Sequence, residues 1–593
     1  MMKNGKAKET YEQLPMALTL LVCRASVSGE NLWHLIDWAE VKSRVSSLQV
    51  RIVKAVKVER WNKVRVLQGI LRGSLAAKLL AIRKVTENKG KHTAGVDGET
   101  WMEAKDKYKA VKKLSRKGYQ VSPVRRIYIP KSNGKKRPLG IPTMRDRAMQ
   151  ALHLLALEPI SETLADPHSY GFRRERGCHD AIQRCFFLLA KPNAPEWVLE
   201  GDIKGCFDNI SHDWLMAYIP TDKRTLKQWL KASFMEGKKL FSTHEGTPQG
   251  SIISPTLANM TLDGLENAID KAVGIRHGKN HRRLNNLYGV HVVRYADDFI
   301  VTASNKAILQ EVIQPAIELW LKDRGLELSK EKTVLTSIHD GFDFLGVNIR
   351  KYVANAPSSQ RHDNNKLLIK PSKKSIKSIN DKVKKVIRLH RTSPAMTLVM
   401  TLNPILRGWA MYHRHNVAKK TFVRLDWETT RRLWNWAKRR HPNKTTGWTK
   451  NKYFKRIEHR DWNFFGKDDK GTLFIKHCGD IPIKRYITIM ANANPFDPTF
   501  ETYFEARRQR KKQDFMAGKL MHLKIFERQK GLCPICQFPI EEQSGWNMHH
   551  LVPKILGGEY TLSNLVLLHP ACHVQVHQVP ELNAALKLKV QAF

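Results

Sequence analysis

The chain has 593 residues and carries 102 Lys+Arg against 55 Asp+Glu, a formal net charge of +47. That length exceeds a single hydrophobic core and predicts three or more domains. With 42% hydrophobic residues it can build ordinary cores, which excludes a disordered basic tail. The surplus charge points to a polyanionic partner, nucleic acid ahead of an anionic membrane surface.

Eight cysteines are too sparse for a disulfide scaffold and suit a reducing interior. Leu14 to Cys23 is apolar behind a few lysines and mimics a signal peptide, but no small-residue cleavage site follows clearly. Nothing approaches the roughly 20 apolar residues of a membrane span. The expectation is a cytoplasmic protein, nucleoid-associated on DNA, with no membrane partner.

Residues 30 to 86 place Trp33, Leu35, Ile36, Trp38, then Val53, Val56, Trp61, Val64, Val66 and Leu67 at helical spacing. Tyr119 to Lys131 alternates like a strand, Ser132-Asn-Gly134 turns, and Lys135 to Pro142 returns. Arg125, Lys131 and Arg137 are spaced by six. Even spacing puts strand residues on one face, where three cations could converge on a triphosphate. A solvated basic hairpin is the plainer alternative. Trp197 to Asp202 reads as a buried strand ending in an acid, and Ser211 can cap a following helix. Thr247-Pro-Gln249-Gly is a turn leading into another helix.

His291 to Thr302 is the informative stretch. Apolar residues lead into and out of a tight turn that carries Asp297 and Asp298, so it predicts a β-hairpin with both acids at its tip. Asp is depleted in strands and favoured in turns, so a plain surface turn is the alternative. Two carboxylates held at a rigid strand tip can bind the divalent cations that phosphoryl transfer needs.

After residue 350 the composition changes. A helix from Lys370 puts Ile376, Ile379, Val383, Val386 and Ile387 on one face and lysines on the other. Trp409, Trp427, Trp434, Trp436 and Trp448 follow among basic residues, a pattern that suits stacking on unpaired bases. About half of these tryptophans are expected to be plain core. Arg507 to Lys512 is a basic run.

Near the C-terminus Cys533-Pro-Ile-Cys536 and His569-Pro-Ala-Cys572 repeat one spacing and could form a tetrahedral zinc site. Between and after them lie His549, His550, Asn564, His573 and His577, the last two on one helical face.

Tyr295-Ala-Asp297-Asp298 is the polymerase signature of reverse transcriptases. The motif order over residues 90 to 350 resembles a group II intron-encoded reverse transcriptase. The resemblance implies a multidomain α+β chain: a right-hand polymerase with fingers and an antiparallel-sheet palm, a helical thumb or maturase domain, and a C-terminal nuclease. The expected boundaries are 1–88 (N-terminal helical extension), 89–355 (fingers and palm), 356–460 (thumb/maturase), 461–522 (basic DNA-binding domain) and 523–593 (nuclease).

The resemblance also implies that Asp202, Asp297 and Asp298 hold two Mg²⁺ ions. Phe207 would exclude a ribose 2′-OH, and Arg125, Lys131, Arg137 and Gln249 would handle the incoming deoxynucleoside triphosphate. The C-terminal residues resemble the HNH endonucleases, with their ββα-metal fold. That match implies a divalent ion, Mg²⁺ first, on His549, His573 and His577, with His550 as general base oriented by Asn564. A zinc ribbon without catalysis is the alternative. The family often has Cys where this chain has His569.

The implied function joins RNA-directed DNA synthesis, splicing of the chain's own group II intron RNA, and nicking of target DNA for intron mobility. A domesticated polymerase serving defence and a splicing cofactor with decayed catalytic parts are the rivals. The attached nuclease argues against the first, and the intact acids and His/Asn set against the second.

Overall fold

The computed structural model describes residues 32–591, apart from 89, 131–133, 135, 238, 242–245, 248–249, 279–282, 353–365, 470, 516–519, 542–544, 554–556 and 558. The leader-like stretch, Lys131 and Gln249 therefore lie outside the described residues.

The first α-helices among the described residues are Trp38–Lys57, Trp61–Gly73 and Leu75–Thr86. Asp37 caps the first by accepting from the Ala39 and Glu40 N–H groups. Ser74 ends the second and caps the third, accepting from the Ala77 N–H. Their buried stripes, Trp38, Val41, Val45, Ile52 and Val56 on the first, pack with the helix Met144–Leu164 into one core. That central helix buries residues on every side, as a helix at the middle of a core does.

The predicted basic hairpin forms, with strands Val124–Pro130 and Lys136–Ile141 paired antiparallel. Phe234–Glu236 adds to it in parallel and Lys239–Phe241 follows antiparallel. A second four-stranded sheet carries the acids, in the order Val334–Ser337, Trp197–Asp202, Asp298–Ala303, His291–Tyr295, with every pair antiparallel. Val198, Val293 and Ile300 fill one face of this sheet and Leu199, Val292, Phe299 and Val301 the other. Both faces are therefore covered, which makes the sheet a stiff platform.

Beyond it the helices Lys373–Leu389, Ala395–His413 and Lys419–Arg440 build a third core. Ile379, Val383 and Ile387 point inward, as the sequence pattern predicts. The expected boundary at 460/461 does not hold. The strand Arg460–Asp468 pairs with Phe454–Ile457 and with Gly471–Phe474, and Phe464, Ile475 and Cys478 sit in the same core as Leu398 and Phe422. The helical unit therefore runs to about residue 481.

The expected basic domain of 461–522 is also not separate. Ile489, Ala493 and Phe504 join the core beneath the acidic sheet with Tyr170, Ile182 and Val198. Arg507, at the head of the basic run, is 5% exposed and pairs with buried Asp180 at 2.7 Å, and Arg508 pairs with Glu175 at 2.9 Å. A charge run read from composition is thus partly an internal clamp.

The last region has two antiparallel strands, Asn547–His550 and Leu565–Leu568, followed by the helix Pro570–Gln578. Its apolar residues continue the core of the N-terminal helices. The expected units 1–88 and 523–593 are joined in space. Among the described residues, no helix is long and apolar enough to cross a membrane.

Candidate functional site

The acidic site is made by register. Asp202 ends its strand directly opposite Asp298, and Asp298 pairs on its other side with Tyr295. Only Ala296 and Asp297 remain in the turn, so all three carboxylates meet at one sheet end. Ala296 takes a left-handed φ of 57°, a conformation that costs a non-glycine residue about 1–3 kcal/mol unless its surroundings enforce it. They do. Arg294, 1% exposed, donates from Nη1 to the Ala296 carbonyl and to Asn259 Oδ1, each at 3.4 Å, and pairs through Nη2 with Asp263. Asn259 in turn donates to the Gly171 carbonyl at 2.8 Å. A Cβ at Gly171 would lie 2.3 Å from the Ala296 nitrogen, so only glycine admits this approach.

The electrostatics show strain of another kind. Loss of hydration, then the neighbouring Asp297 and a hydrogen bond with Asp202, push the Asp298 carboxyl up to about 7. Asp297 is raised by burial and by Asp202, with Lys332 and Arg137 opposing. Three acids this close cannot all ionise without a cation. Lys332 supplies one, its Nζ 2.6 Å from Asp202 Oδ2. Paired carboxylates at such a spot are a donor set for Mg²⁺.

Of the expected nucleotide contacts, Arg137 lies close enough to Asp297 to oppose the rise of its carboxyl. Ile129 pairs with Arg137 and Arg125 with Ile141, so Arg125 and Arg137 share one face of the basic hairpin. Arg125 Nε is buried with no partner among the described residues. Phe207 follows the sheet end and meets Phe172 edge to face at 6.2 Å. The Thr247 N–H donates to its carbonyl at 2.6 Å. Gly246, at φ 80°, leaves no room for a Cβ, which would lie 2.4 Å from the Asp208 carbonyl oxygen. Gly246 and Thr247 are thereby locked against the Phe207 turn.

Two further clusters lie in the C-terminal region. Cys533, Cys536, His569 and Cys572 bring their donor atoms within 4.8 Å of one another, and all four are buried. Cys536 Sγ is 3.3 Å from His569 Nδ1, while His569 Nε2 lies 3.1 Å from the Pro539 carbonyl oxygen. A ring whose outer N–H is held by a carbonyl presents its other nitrogen as a ligand, so His569 fits as the fourth donor. His569 occupies the N-cap position of the helix Pro570–Gln578 and Cys572 sits in its first turn, where the helix dipole opposes the rise that Cys533 and Cys536 impose on its thiol.

The second cluster is His549, His573 and His577, also within 4.8 Å but ranging from buried to exposed. Burial holds His549 neutral, down to about 4, with the other two rings adding to the effect. Neutral imidazoles are what a divalent ion requires. His550 follows on the strand and so points to the other face. Its Nε2 is buried without a hydrogen-bond partner among the described residues. The hydrogen bonds of the Asn564 side chain go to backbone groups rather than to that ring. Its amide accepts from the Val552 N–H at 2.7 Å and donates to the Glu559 and Val552 carbonyls at 2.8 and 3.2 Å. With the Leu551 N–H donating to the Asn564 carbonyl at 2.9 Å, these bonds tie Asn564 to the backbone just after His550.

On the helical unit the tryptophans divide. Trp436 is 5% exposed and packs in the core, whereas Trp427 is 61% exposed. A hollow of about 440 Å³ is lined by Trp427, Trp434 and Trp462 with Arg431, Val423 and His477.

Four sequence profiles match this chain in order. They are the N-terminal domain of reverse transcriptase over 33–114, reverse transcriptase (RNA-dependent DNA polymerase) over 129–349, the group II intron maturase-specific domain over 376–454 and HNH endonuclease over 533–578. Protein YkfC of Escherichia coli is 35% identical over 303 residues, 45% of this chain and 78% of its own length. Group II intron-encoded protein LtrA of Lactococcus lactis subsp. cremoris is 32% identical over 329 residues, 46% of this chain and 54% of its own. The chain belongs to the group II intron-encoded reverse transcriptase/maturase family.

A protein in the cob intron of Schizosaccharomyces pombe is also similar, 31% identical over 322 residues, 46% of this chain and 40% of its own. The chain spans about half the length of LtrA. Within this group II intron family member, sequence reasoning did not assign roles to Lys332, Arg294 or Arg83. The Arg of His291-Val-Val-Arg294-Tyr is a visible signal, since a cation inside a buried strand demands a partner.

Proposed function

We propose that this chain is a multifunctional intron-mobility protein: an RNA-directed DNA polymerase, a maturase for its own group II intron RNA, and an endonuclease on target DNA. The observation that carries the reading is the convergence of Asp202, Asp297 and Asp298 at one sheet end, braced from below by Arg294. In this reading the acidic sheet is the palm, the basic hairpin belongs to the fingers, and the helices from Lys373 form the thumb.

Bound at the three carboxylates, two Mg²⁺ ions would activate the primer 3′-OH and neutralise the leaving pyrophosphate. The chain's own residues do the rest. Arg125, Lys131 and Arg137 bind the triphosphate, Phe207 and Gln249 shape the sugar pocket, and Lys332 balances the acids. In the C-terminal ββα-metal unit, His549, His573 and His577 would hold a divalent ion, Mg²⁺ first, whose charge would stabilise the cleaved phosphate, and His550 takes the proton from the attacking water. Zinc on the four buried Cys/His donors is structural. The net charge of +47 covers the phosphates of intron RNA and target DNA. Such a protein works in the cytoplasm and on the nucleoid.

The test is reconstitution. Purified protein is incubated with intron RNA transcribed from the flanking DNA, a labelled DNA duplex, deoxynucleoside triphosphates and Mg²⁺. The expected products are spliced RNA, one nicked DNA strand and complementary DNA extended from that nick. RNA affinity should fall steeply between low and high salt. Failure of primer extension on any RNA template overturns the polymerase reading, and unnicked DNA overturns the nuclease reading.

A further inference from the structure

The N-terminal helices reach the buried Cys/His cluster. Arg83, on the helix Leu75–Thr86, is 7% exposed. Its Nη2 lies 3.6 Å from Cys536 Sγ and 3.5 Å from Cys572 Sγ, across 453 and 489 residues of sequence. Its Nε pairs with Glu87 at 3.0 Å. The guanidinium stacks over Trp38 at 4.6 Å and Phe538 at 5.0 Å, so one ring from each region sandwiches it. Around it the contact widens. Lys42 Nζ donates to the Gln537 carbonyl at 3.1 Å, Gln575 Nε2 donates to the Ile36 carbonyl at 3.4 Å, and Leu35 packs on Val579.

A buried guanidinium is costly unless its donors find acceptors. Nε has the Glu87 carboxylate and Nη2 faces two sulfurs, while Nη1 is buried without a partner among the described residues. Neutral thiols are weak acceptors, whereas thiolates are strong ones. Three thiolates and an imidazole around a divalent ion carry a net negative charge, which Arg83 is placed to offset. We propose that Arg83 is an outer-sphere partner of the metal centre, donating N–H···S hydrogen bonds to the Cys536 and Cys572 thiolates. Metal loading and docking of the nuclease region on the polymerase's N-terminal helices are then one linked event. By linkage, whatever factor docking adds to metal affinity, the metal adds to docking. The polymerase and the nuclease are held in fixed register by a metal that takes part in neither reaction. This rests on the reading of the cluster as a zinc site.

The experiment uses the full chain as wild type, Arg83→Lys, Arg83→Gln and, as a control that loosens the contact without touching sulfur, Lys42→Met. Zinc content is measured first, then the rate of zinc transfer to a chromogenic chelator. The ¹¹³Cd resonance of the cadmium-substituted protein reads the thiolates directly. Hydrogen exchange in the helix Leu75–Thr86 is followed with and without zinc. Arg83→Gln is expected to release zinc roughly 10–100-fold faster, the range that loss of an outer-shell partner gives. Its ¹¹³Cd resonance should move, and stripping zinc from the wild type should raise exchange in that helix. Lys42→Met should leave the resonance in place.

Arg83→Lys keeps the charge but loses the planar fork, so it should show the same changes in smaller measure; it decides the matter if Arg83→Gln fails to fold. A wild-type release rate and resonance in the Arg83 variants overturn this inference alone. A wild-type chain that holds no zinc overturns the metal reading and this inference together.

Discussion

The two ligand clusters of the C-terminal region share one helix, Pro570–Gln578, yet their surroundings are opposite. Cys533, Cys536, His569 and Cys572 are sealed, while His549, His573 and His577 run from buried to exposed. A sealed tetrad leaves no position for water or substrate and can only hold structure. A partly open triad leaves room for a phosphate. The acidic tip resembles the open cluster, since Asp298 keeps an exposed outer side while its inner side packs against Asp202 and Asp297, at the end of a sheet buried on both faces. In the proposed reading, burial, more than donor type, separates the residues that hold this protein together from those that act on other molecules.

The largest expected effect tests the sealed side. Cys533→Ser should lose the ion and with it a metal-binding energy on the order of 10 kcal/mol. Limited proteolysis should then cut the chain after about residue 525, and nicking should disappear with the fold. A variant that retained zinc and protease resistance would break the contrast. The open sites should respond in the other way, losing chemistry and keeping structure. Asp297→Ala should abolish primer extension on an RNA template while RNA binding persists. His550→Ala should slow nicking by about 10²–10⁴-fold with zinc content and extension unchanged. Normal nicking by that variant would remove His550 as the base.

The same division sharpens on smaller scales. Phe207→Ala should admit ribonucleotides by roughly tenfold or more while deoxynucleotide synthesis continues, as measured by competing the two substrates. Unchanged discrimination would take the ring out of the sugar pocket. Trp427→Ala should weaken RNA binding by about 1–3 kcal/mol without lowering the unfolding temperature. Trp436→Ala should instead cost about 3–5 kcal/mol of stability.

The most gradual effect concerns a sealed histidine. His291 is held neutral, down to about 3, by burial and by Arg283, whose Nη1 donates to its Nδ1 at 3.1 Å. The unfolded chain takes up that proton near 6.5 and the folded chain does not. Stability is therefore full above about 6.5 and falls as pH drops toward 3, by up to roughly 1.4 kcal/mol per unit. Denaturant unfolding of His291→Gln against wild type at two pH values would show it as a shallower slope.

Much of this was legible in the sequence because it is local. A strand, a two-residue turn and a strand put Asp297 and Asp298 at a tip whatever surrounds them, and two Cys/His pairs at one spacing announce a tetrad. What stayed hidden depends on distant pairing. Arg294 needs Asp263, 31 residues away, and Lys332 reaches Asp202 across 130. The boundary at 460/461 failed because charge composition changes there while the sheet Phe454–Phe474 continues. Arg507 failed for a related reason: a basic run does not show that buried Asp180 waits 327 residues upstream.

The joining of the first and last regions also sets a timetable. Arg83 emerges from the ribosome 453 residues before Cys536. At about 5–20 residues per second that is a delay on the order of 20–90 s. Throughout it, Trp38 and the guanidinium of Arg83 have no Phe538 to close over them, so the nascent amino-terminal helices carry an apolar face open to chaperones. A message truncated before residue 533 would leave that face uncovered permanently, and aggregation rather than loss of a single activity would be its mark.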